Sequence, residues 1–255
     1  MHHRSSMLAR AVRFATLAAL AAPARTLAGG FSLNEQSASA MGTANAGAAA
    51  NPENATTVLF NPAGMSQLSG TNSSFGAAGL DIGAEGKESS IRTSRNNPAV
   101  PVSPASNGGD IAEPAVLPNF YLSHEINKSI DVGFGVHAPY GLAADYENDF
   151  AGRFFADKTE LTAIAFTPSI SLNNGQGLSM GVGLNILYAE GRLSRYQDIS
   201  AQVGAPALAL EEPYADAEGD DVGMTFRVGF LYELTRATQI GLTLQTGTEL
   251  ELEGD

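Results

Sequence analysis

Two arginines, Arg195 and Arg227, are the residues of this sequence best suited to bind a ligand. Each has an odd number in or next to a stretch whose even positions are apolar, so an unbroken strand would point both arginines away from the apolar face. A guanidinium in such a place can hold a carboxylate through a charge-assisted hydrogen bond. The alternative is that both arginines pair with acids such as Glu190 or Glu233.

Groups that could support catalysis are few. The sequence has no cysteine, which excludes thiolate nucleophiles, thiolate metal sites and disulfides. Of its four histidines only His124 and His137 lie beyond residue 28. The sequence shows no recognisable catalytic pair of a histidine and a serine. We therefore predict that the protein is not an enzyme, with no catalytic residue and no cofactor.

The charge balance excludes a further class of partner. Asp and Glu number 27 against 14 Lys and Arg, which gives a net charge of −13, so nucleic acid is not an expected ligand. Charged residues make up only 16% of the chain and there are 28 glycines. This composition suits a β-protein, either a soluble sandwich or a membrane barrel.

The elements that would position the arginines are strands with a two-residue period. Between Leu178 and Tyr188 every even position is apolar and most odd positions are small or polar, so one face of the strand is apolar. The same pattern recurs in several other segments, with the last two weaker: 222–232, 239–245, 163–172, 130–137, 116–124 and 74–84. Pro168 predicts a bulge or a strand end inside one of them.

The lengths of the connections decide between sandwich and barrel. Short links near residues 125–129, 173–177 and 234–238 alternate with long ones, which lie near 85–115, 138–160 and 194–221. Such alternation is typical of outer-membrane barrels, and strands of this length suit a bilayer. We predict an all-β fold, a transmembrane antiparallel β-barrel. Its seven strands are an odd number, which predicts that this is the N-terminal portion of a longer protein.

The N-terminus predicts export. Arg4, Arg10 and Arg13 precede an apolar run from Phe14 to Ala22, and Thr26-Leu27-Ala28 offers a cleavage site, so residues 1–28 are predicted to be a signal peptide. A short N-terminal helix is the alternative. Residues 29–70 show no alternation and are rich in small residues, which favours a compact plug over the other interpretation, a disordered linker.

Several motifs then resemble one family. Gly30–Ser37 followed by Phe60–Ala63 resembles the start of FadL/TodX-type outer-membrane transporters of long-chain fatty acids and hydrophobic compounds. Further matches follow in the same order along the chain, at Pro118–Phe120, Pro139–Ala143, Leu187–Ala189, Arg195-Tyr196, Gly229–Leu234 and Leu252–Asp255.

The resemblance implies a barrel of 14 strands in the whole family, about seven of them here, closed by an N-terminal hatch. Residues 29–70 would form the hatch and residues 71–255 the first half of the barrel. The implied function is passive uptake of hydrophobic solutes, foremost long-chain fatty acids, by capture at extracellular loops, binding inside the barrel, hatch rearrangement and lateral release. Alternatives are aromatic hydrocarbons taken up by the same route, or a structural or adhesive barrel that transports nothing.

The resemblance also implies roles for individual residues. Arg195 aligns with a family arginine near an internal binding site, to which Arg227 adds a second cation and Phe31 and Leu33 an apolar lining. Leu208 and Leu210 would form an apolar capture patch in a long loop. The hatch motif would be Asn61, Pro62 and Ala63, and the strand kink that opens the wall laterally would be Pro139, Tyr140 and Gly141.

The expected surroundings are outer-membrane lipid and lipopolysaccharide, around a monomer. A group of acids falls in the last long loop, at Asp216, Glu218, Asp220 and Asp221. Its spacing departs from the EF-hand pattern, so we predict no metal site. These acids are expected to be solvated, or bridged to lipopolysaccharide by divalent ions.

Overall fold

One antiparallel sheet dominates the computed structural model, which describes residues 32–87, 95–102, 105–203, 212–235 and 237–254. Its strand order is β1-β2-β3-β4-β6-β7-β8, with β5 beside β3 and β6, and β9 beside β7. The strands are β1 (Thr71–Leu80), β2 (Ala115–Asn127), β3 (Ile130–Asp145), β4 (Lys158–Phe166), β5 (Ser169–Asn173), β6 (Leu178–Tyr196), β7 (Tyr214–Thr235), β8 (Thr238–Gln245) and β9 (Glu253–Gly254).

The described part of the chain contains no helix long and apolar enough to cross a membrane.

The sheet exposes its apolar face and covers its small and polar one. On β6, Met180 and Val182 are exposed while Ser179 is buried, and the same inversion runs through the neighbouring strands. A sheet in water would bury the apolar face instead. We call the exposed apolar face the outer face and the covered one the inner face.

Three strands run further than the apolar alternation predicted. β3 continues to Asp145, and β6 and β7 stay paired as far as Tyr196 and Tyr214. On β6 and β7 backbone pairing continues although the outward side chains become polar, and on β3 it continues past a bulge that reverses the alternation. Apolar periodicity therefore ends before the strands do. The acids from Asp216 to Asp221 accordingly lie within β7 and not in a loop.

Pro168 separates two strands. β4 ends at Phe166 and β5 begins at Ser169, because proline has no N–H to donate to a ladder. The connections keep the predicted alternation, with long ones after β1, β3 and β6. We call the end of the sheet that carries them the long-loop end.

Residues 32–70, the N-terminal segment, pack against the inner face. They contain α1 (Ala38–Met41), α2 (Thr57–Phe60) and a 3-10 helix (Pro62–Gln67), while α3 (Ser200–Val203) lies between β6 and β7. Ser37 caps α1 by accepting a hydrogen bond from the Ala40 amide. An apolar cluster joins the segment to the sheet and consists of Ala55, Val58, Leu59, Met65 and Tyr121.

Candidate functional site

Glycines on the inner face make room for the N-terminal segment. A Cβ added to Gly181 would lie 2.3 Å from the Ala63 nitrogen, and one added to Gly229 would lie 2.0 Å from Asn61 Oδ1. At Gly133 an added Cβ would lie 2.5 Å from Met65 Sδ. Only residues without a side chain permit this approach, so these strand positions and the segment fit one another directly.

Asn61 is the main polar anchor of the segment. Its Nδ2 donates to the carbonyls of Ala49 (2.6 Å) and Phe230 (3.1 Å), and its Oδ1 accepts from the Ala63 amide at 3.1 Å. The side chain is 1% exposed, so each of these bonds is protected from water. Pro62 follows at the start of the 3-10 helix, where its missing N–H costs nothing. Asn61, Pro62 and Ala63 are thus seated on the sheet.

A polar cavity of about 200 Å³ lies between the start of the N-terminal segment and strands β3, β7 and β8. Its lining includes Leu33, His137, Tyr140, Arg227 and Gln245. Arg227 Nε donates to Gln245 Oε1 at 3.0 Å, and among the described residues Arg227 has no carboxylate partner. His137 is buried, and its Nδ1 has no hydrogen-bond partner there. The cavity therefore combines an uncompensated cation with an unsatisfied polar atom.

The structure separates the two arginines singled out by the sequence. On β6 the register partner of Arg227 is Gly183, whereas Arg195 stands twelve residues further along that strand, about 40 Å away. Arg195 is exposed at the long-loop end, and no ion pair of Arg195 is found within the described ranges. One ligand headgroup cannot contact both arginines.

Neither acid proposed as an alternative partner forms an ion pair with Arg195 or Arg227 in the part of the chain that the structure describes. Glu233 accepts a hydrogen bond from Gln67 at 2.8 Å, and Glu190 lies directly opposite Asp220 on β7. Phe31, Leu208 and Leu210 lie outside the described residues. Leu33 is described, and it lines the polar cavity.

A second cavity, of about 390 Å³, lies on the inner face nearer the long-loop end. Most of its lining is apolar and includes Leu142, Leu161, Leu193 and Leu252, although Glu160, Arg192 and Glu218 also border it. Tyr140 and Leu142 are alternate residues of β3, so the polar and apolar cavities are neighbours along one strand. The volume is within the range of small-molecule sites.

The third strand departs from regular pairing at the predicted kink. Its register against β4 shifts between His137 and Tyr140, which leaves one extra residue on β3. Pairing with β2 ends at Phe120 and Val136, although both strands continue towards the long-loop end. A bridge between Ala112 and Ala144 joins the two chain segments again. A gap in β2–β3 pairing therefore runs between these two points.

A buried ion cluster joins the long connections. The guanidiniums of Arg95 and Arg153 both bind the Glu212 carboxylate, with Arg153 Nε at 2.8 Å, and both lie over the Phe154 ring at 4.8 and 4.7 Å. Arg95 also meets Asp198 at 3.5 Å. Burial on its own would raise the pKa of Glu212, but hydrogen bonds from Arg153 and Arg95 outweigh it and lower that pKa. We call these residues the arginine clasp.

One motif that resembles a catalytic site was overlooked in the sequence. Gly177–Gly181 has the G-x-S-x-G spacing of a nucleophile elbow. It opens strand β6 and lacks the strand–turn–helix context, and Ser179 is buried with its hydroxyl 2.7 Å from Ser66 Oγ. In the ranges that the structure describes, no three His, Asp or Glu side chains come together to hold a metal ion. The described residues thus form cavities that could hold a ligand, and Ser179 is not placed as a nucleophile would be.

Comparison with known proteins gives a consistent result. Residues 18–255 match the family described as outer membrane protein transport protein (OMPP1/FadL/TodX). The chain is 30% identical to the 47 kDa outer membrane protein of Pasteurella multocida over 257 residues, which cover 98% of this chain and 56% of that protein. It is 28% identical to the long-chain fatty acid transport protein of Escherichia coli O6:H1 over 241 residues, or 89% of this chain and 52% of that one.

Solved structures agree on the fold. A Pseudomonas aeruginosa FadL homologue superposes with a TM-score of 0.63 at 21% identity, covering 84% of this chain and 52% of that one. The toluene transporter TbuX of Ralstonia pickettii gives 0.54 at 19% identity, covering 81% and 56%. The chain spans about half the length of the relatives it matches.

Proposed function

Because the chain belongs to the outer-membrane transport family OMPP1/FadL/TodX, we propose that it serves the uptake of long-chain fatty acids across the bacterial outer membrane. The protein is an outer-membrane protein with the fold of a transmembrane β-barrel, and the exposed apolar outer face is the surface that contacts lipid. In this role residues 29–70 act as the hatch, and no cofactor takes part.

The environment of Arg227 is the observation that favours a fatty acid as the ligand. It faces a cavity and has no carboxylate partner among the residues described, so a carboxylate headgroup would supply the missing charge through a charge-assisted hydrogen bond. The neighbouring apolar cavity offers its leucines to the hydrocarbon tail. An uncharged aromatic ligand would leave Arg227 uncompensated.

The route proposed for the solute continues from the polar cavity. Leu208 and Leu210 are the proposed contacts for capture, and binding follows at Arg227, with Leu33 and Phe31 as the proposed apolar contacts. Hatch movement about Asn61-Pro62-Ala63 then accompanies lateral release at the kink formed by Pro139, Tyr140 and Gly141. Lipid and lipopolysaccharide surround the barrel, which acts as a monomer.

A binding and uptake experiment with two solutes tests this function. We expect Arg227→Ala to weaken oleate binding about tenfold or more and to leave toluene binding unchanged. Arg195→Ala is the matched control, since it removes a cation at the far end of β6. Loss of oleate binding in Arg195→Ala but not in Arg227→Ala would mean that the headgroup binds at Arg195.

The same assay separates the alternative functions. Cells that take up toluene but not oleate would show an aromatic hydrocarbon carrier. Failure to take up either solute, with the barrel folded, would favour a structural or adhesive barrel.

A further inference from the structure

The stretch Ser32–Gln36, which we call the leading stretch, lies against β3 beside the gap between β2 and β3. The Leu33 amide donates to the Pro139 carbonyl at 2.9 Å, and Ser32 forms an antiparallel bridge with Tyr140. A Cβ added to Gly141 would lie 3.1 Å from Leu33 Cδ1, so the leucine side chain packs beside this glycine. The leading stretch therefore borders β3 along the part of the strand where pairing with β2 has ended.

Gln36 contacts both sides of the gap. Its side-chain Nε2 donates to the Ala138 carbonyl on β3 at 2.6 Å, and also to its own segment at Leu33 O, 3.2 Å away. Its backbone carbonyl accepts from the Tyr121 hydroxyl on β2 at 3.0 Å. Gln36 is 6% exposed, so water does not readily replace these partners.

The bulge explains why Ala138 needs such a partner. Ala138 and Pro139 have no register partner on β4, because the pairing passes directly from His137–Ala165 to Tyr140–Ala163. On the opposite edge of β3, pairing with β2 has already ended at Val136. A carbonyl shielded from water is costly to leave without a partner, and the Gln36 amide satisfies this partly buried one.

We propose that Gln36 is a positioning residue that fastens the leading stretch across the β2–β3 gap and keeps the wall closed. The inference rests on the proposed function in one respect, namely that this gap is the exit for the solute. Gln36 also lines the polar cavity beside Arg227, so a ligand that fills the cavity competes for the space of the residue that holds the gap shut. Breaking the bond to Ala138 removes one of the contacts that hold the leading stretch against β3 and so loosens it.

Cross-linking between two introduced cysteines measures this closure without any solute. The natural chain has no cysteine, so Leu33→Cys with Gly141→Cys reports only the contact of the leading stretch with β3. In outer-membrane vesicles we expect Gln36→Met, which keeps the size but loses the donor, to slow cross-linking about tenfold. Ser37→Ala is the matched control, since it removes the cap of α1 one residue away and should leave the rate unchanged.

Two further outcomes decide the proposal. An unchanged rate in Gln36→Met, or an equal loss in Ser37→Ala, would overturn the role of Gln36. If Gln36→Met does not assemble, Tyr121→Phe removes the bond from the β2 side and should slow cross-linking in the same way. Because the cross-linking readout needs no fatty acid, slower cross-linking in Gln36→Met together with no oleate uptake by the natural protein would reject the proposed function and leave the role of Gln36 standing.

Discussion

Gly181 on β6 and Gly229 on β7 are register partners, and together they form the floor on which Asn61 and Pro62 rest. The backbone of Pro62 lies against Gly181, and its ring and the Asn61 side chain lie against Gly229. A residue with a side chain at either strand position would occupy space that the N-terminal segment already fills. The surface that contacts Asn61 and Pro62 is thus formed jointly by β6 and β7.

Replacing Gly181 by alanine should displace the N-terminal segment while the sheet stays folded. The new methyl group would overlap the backbone of Pro62 and Ala63, and overpacking of this kind costs about 1–3 kcal/mol. Cells carrying the variant should admit bulky antibiotics that the natural protein excludes. Gly79→Ala is the control, because nothing lies within 4 Å of its added Cβ. Equal permeability of the two variants would refute the fit.

Asn61→Asp separates the two functions of the Asn61 side chain. Aspartate can still accept from the Ala63 amide but cannot donate to Ala49 and Phe230, so we expect the segment to loosen by about 2 kcal/mol. Hydrogen exchange should accelerate at residues 57–67 and remain slow in β6 and β7, and oleate uptake should fall. Thr243→Val, which removes a single bond to the Phe60 carbonyl, should have a smaller effect.

Val182→Arg tests the assignment of the outer face to lipid. Val182 is exposed near the middle of the apolar run of β6, where an arginine should cost about 2–4 kcal/mol in a bilayer. Leu178→Arg, at the end of the run, should cost about 1 kcal/mol or less. Unfolding free energies in lipid vesicles would show this difference, and equal costs would mean that depth along β6 does not matter.

The arginine clasp should weaken in acid. Because the folded-state pKa of Glu212 is lowered, the clasp contributes its full stability above the unfolded value of about 4.3 and loses it as the pH falls through the folded pKa. Protease cleavage of the long connections should therefore rise below about pH 4. Glu212→Gln leaves two buried guanidiniums without their shared carboxylate, which should destabilise these connections by about 3 kcal/mol at neutral pH. A variant with the natural pH profile would exclude Glu212 as the titrating group.

Alternation of residue type located the strands because the two faces of a sheet are chemically opposite. From Leu178 to Tyr188 the even residues meet one environment and the odd residues another, so the faces follow directly from the sequence. The signal fails beyond Tyr188, where Glu190 and Arg192 continue the same face of β6 with polar groups. Backbone pairing does not depend on that change, and the strand runs on.

The site was less accessible to sequence reasoning, because its contacts join residues far apart in the chain. Arg227 could be named from its parity, but nothing nearby in the sequence indicates Gln245 as its partner. Pro139 predicts an interruption of β3, yet the extra residue at the bulge moves Tyr140 to the face that parity assigns to odd residues. Gln36 lies in a stretch without periodicity, and only the folded chain brings it to Ala138.

The bond from Asn61 to the Phe230 carbonyl connects residues 169 positions apart, and it has a consequence for the order of assembly. The site that receives Asn61 does not exist until β6 and β7 have paired, so the N-terminal segment cannot settle on a sheet that is still forming. Contacts of such long sequence separation form slowly. The N-terminal segment is synthesised before the strands that receive it and is therefore among the last parts of this fold to settle, so the newly formed sheet must tolerate an uncovered inner face until then.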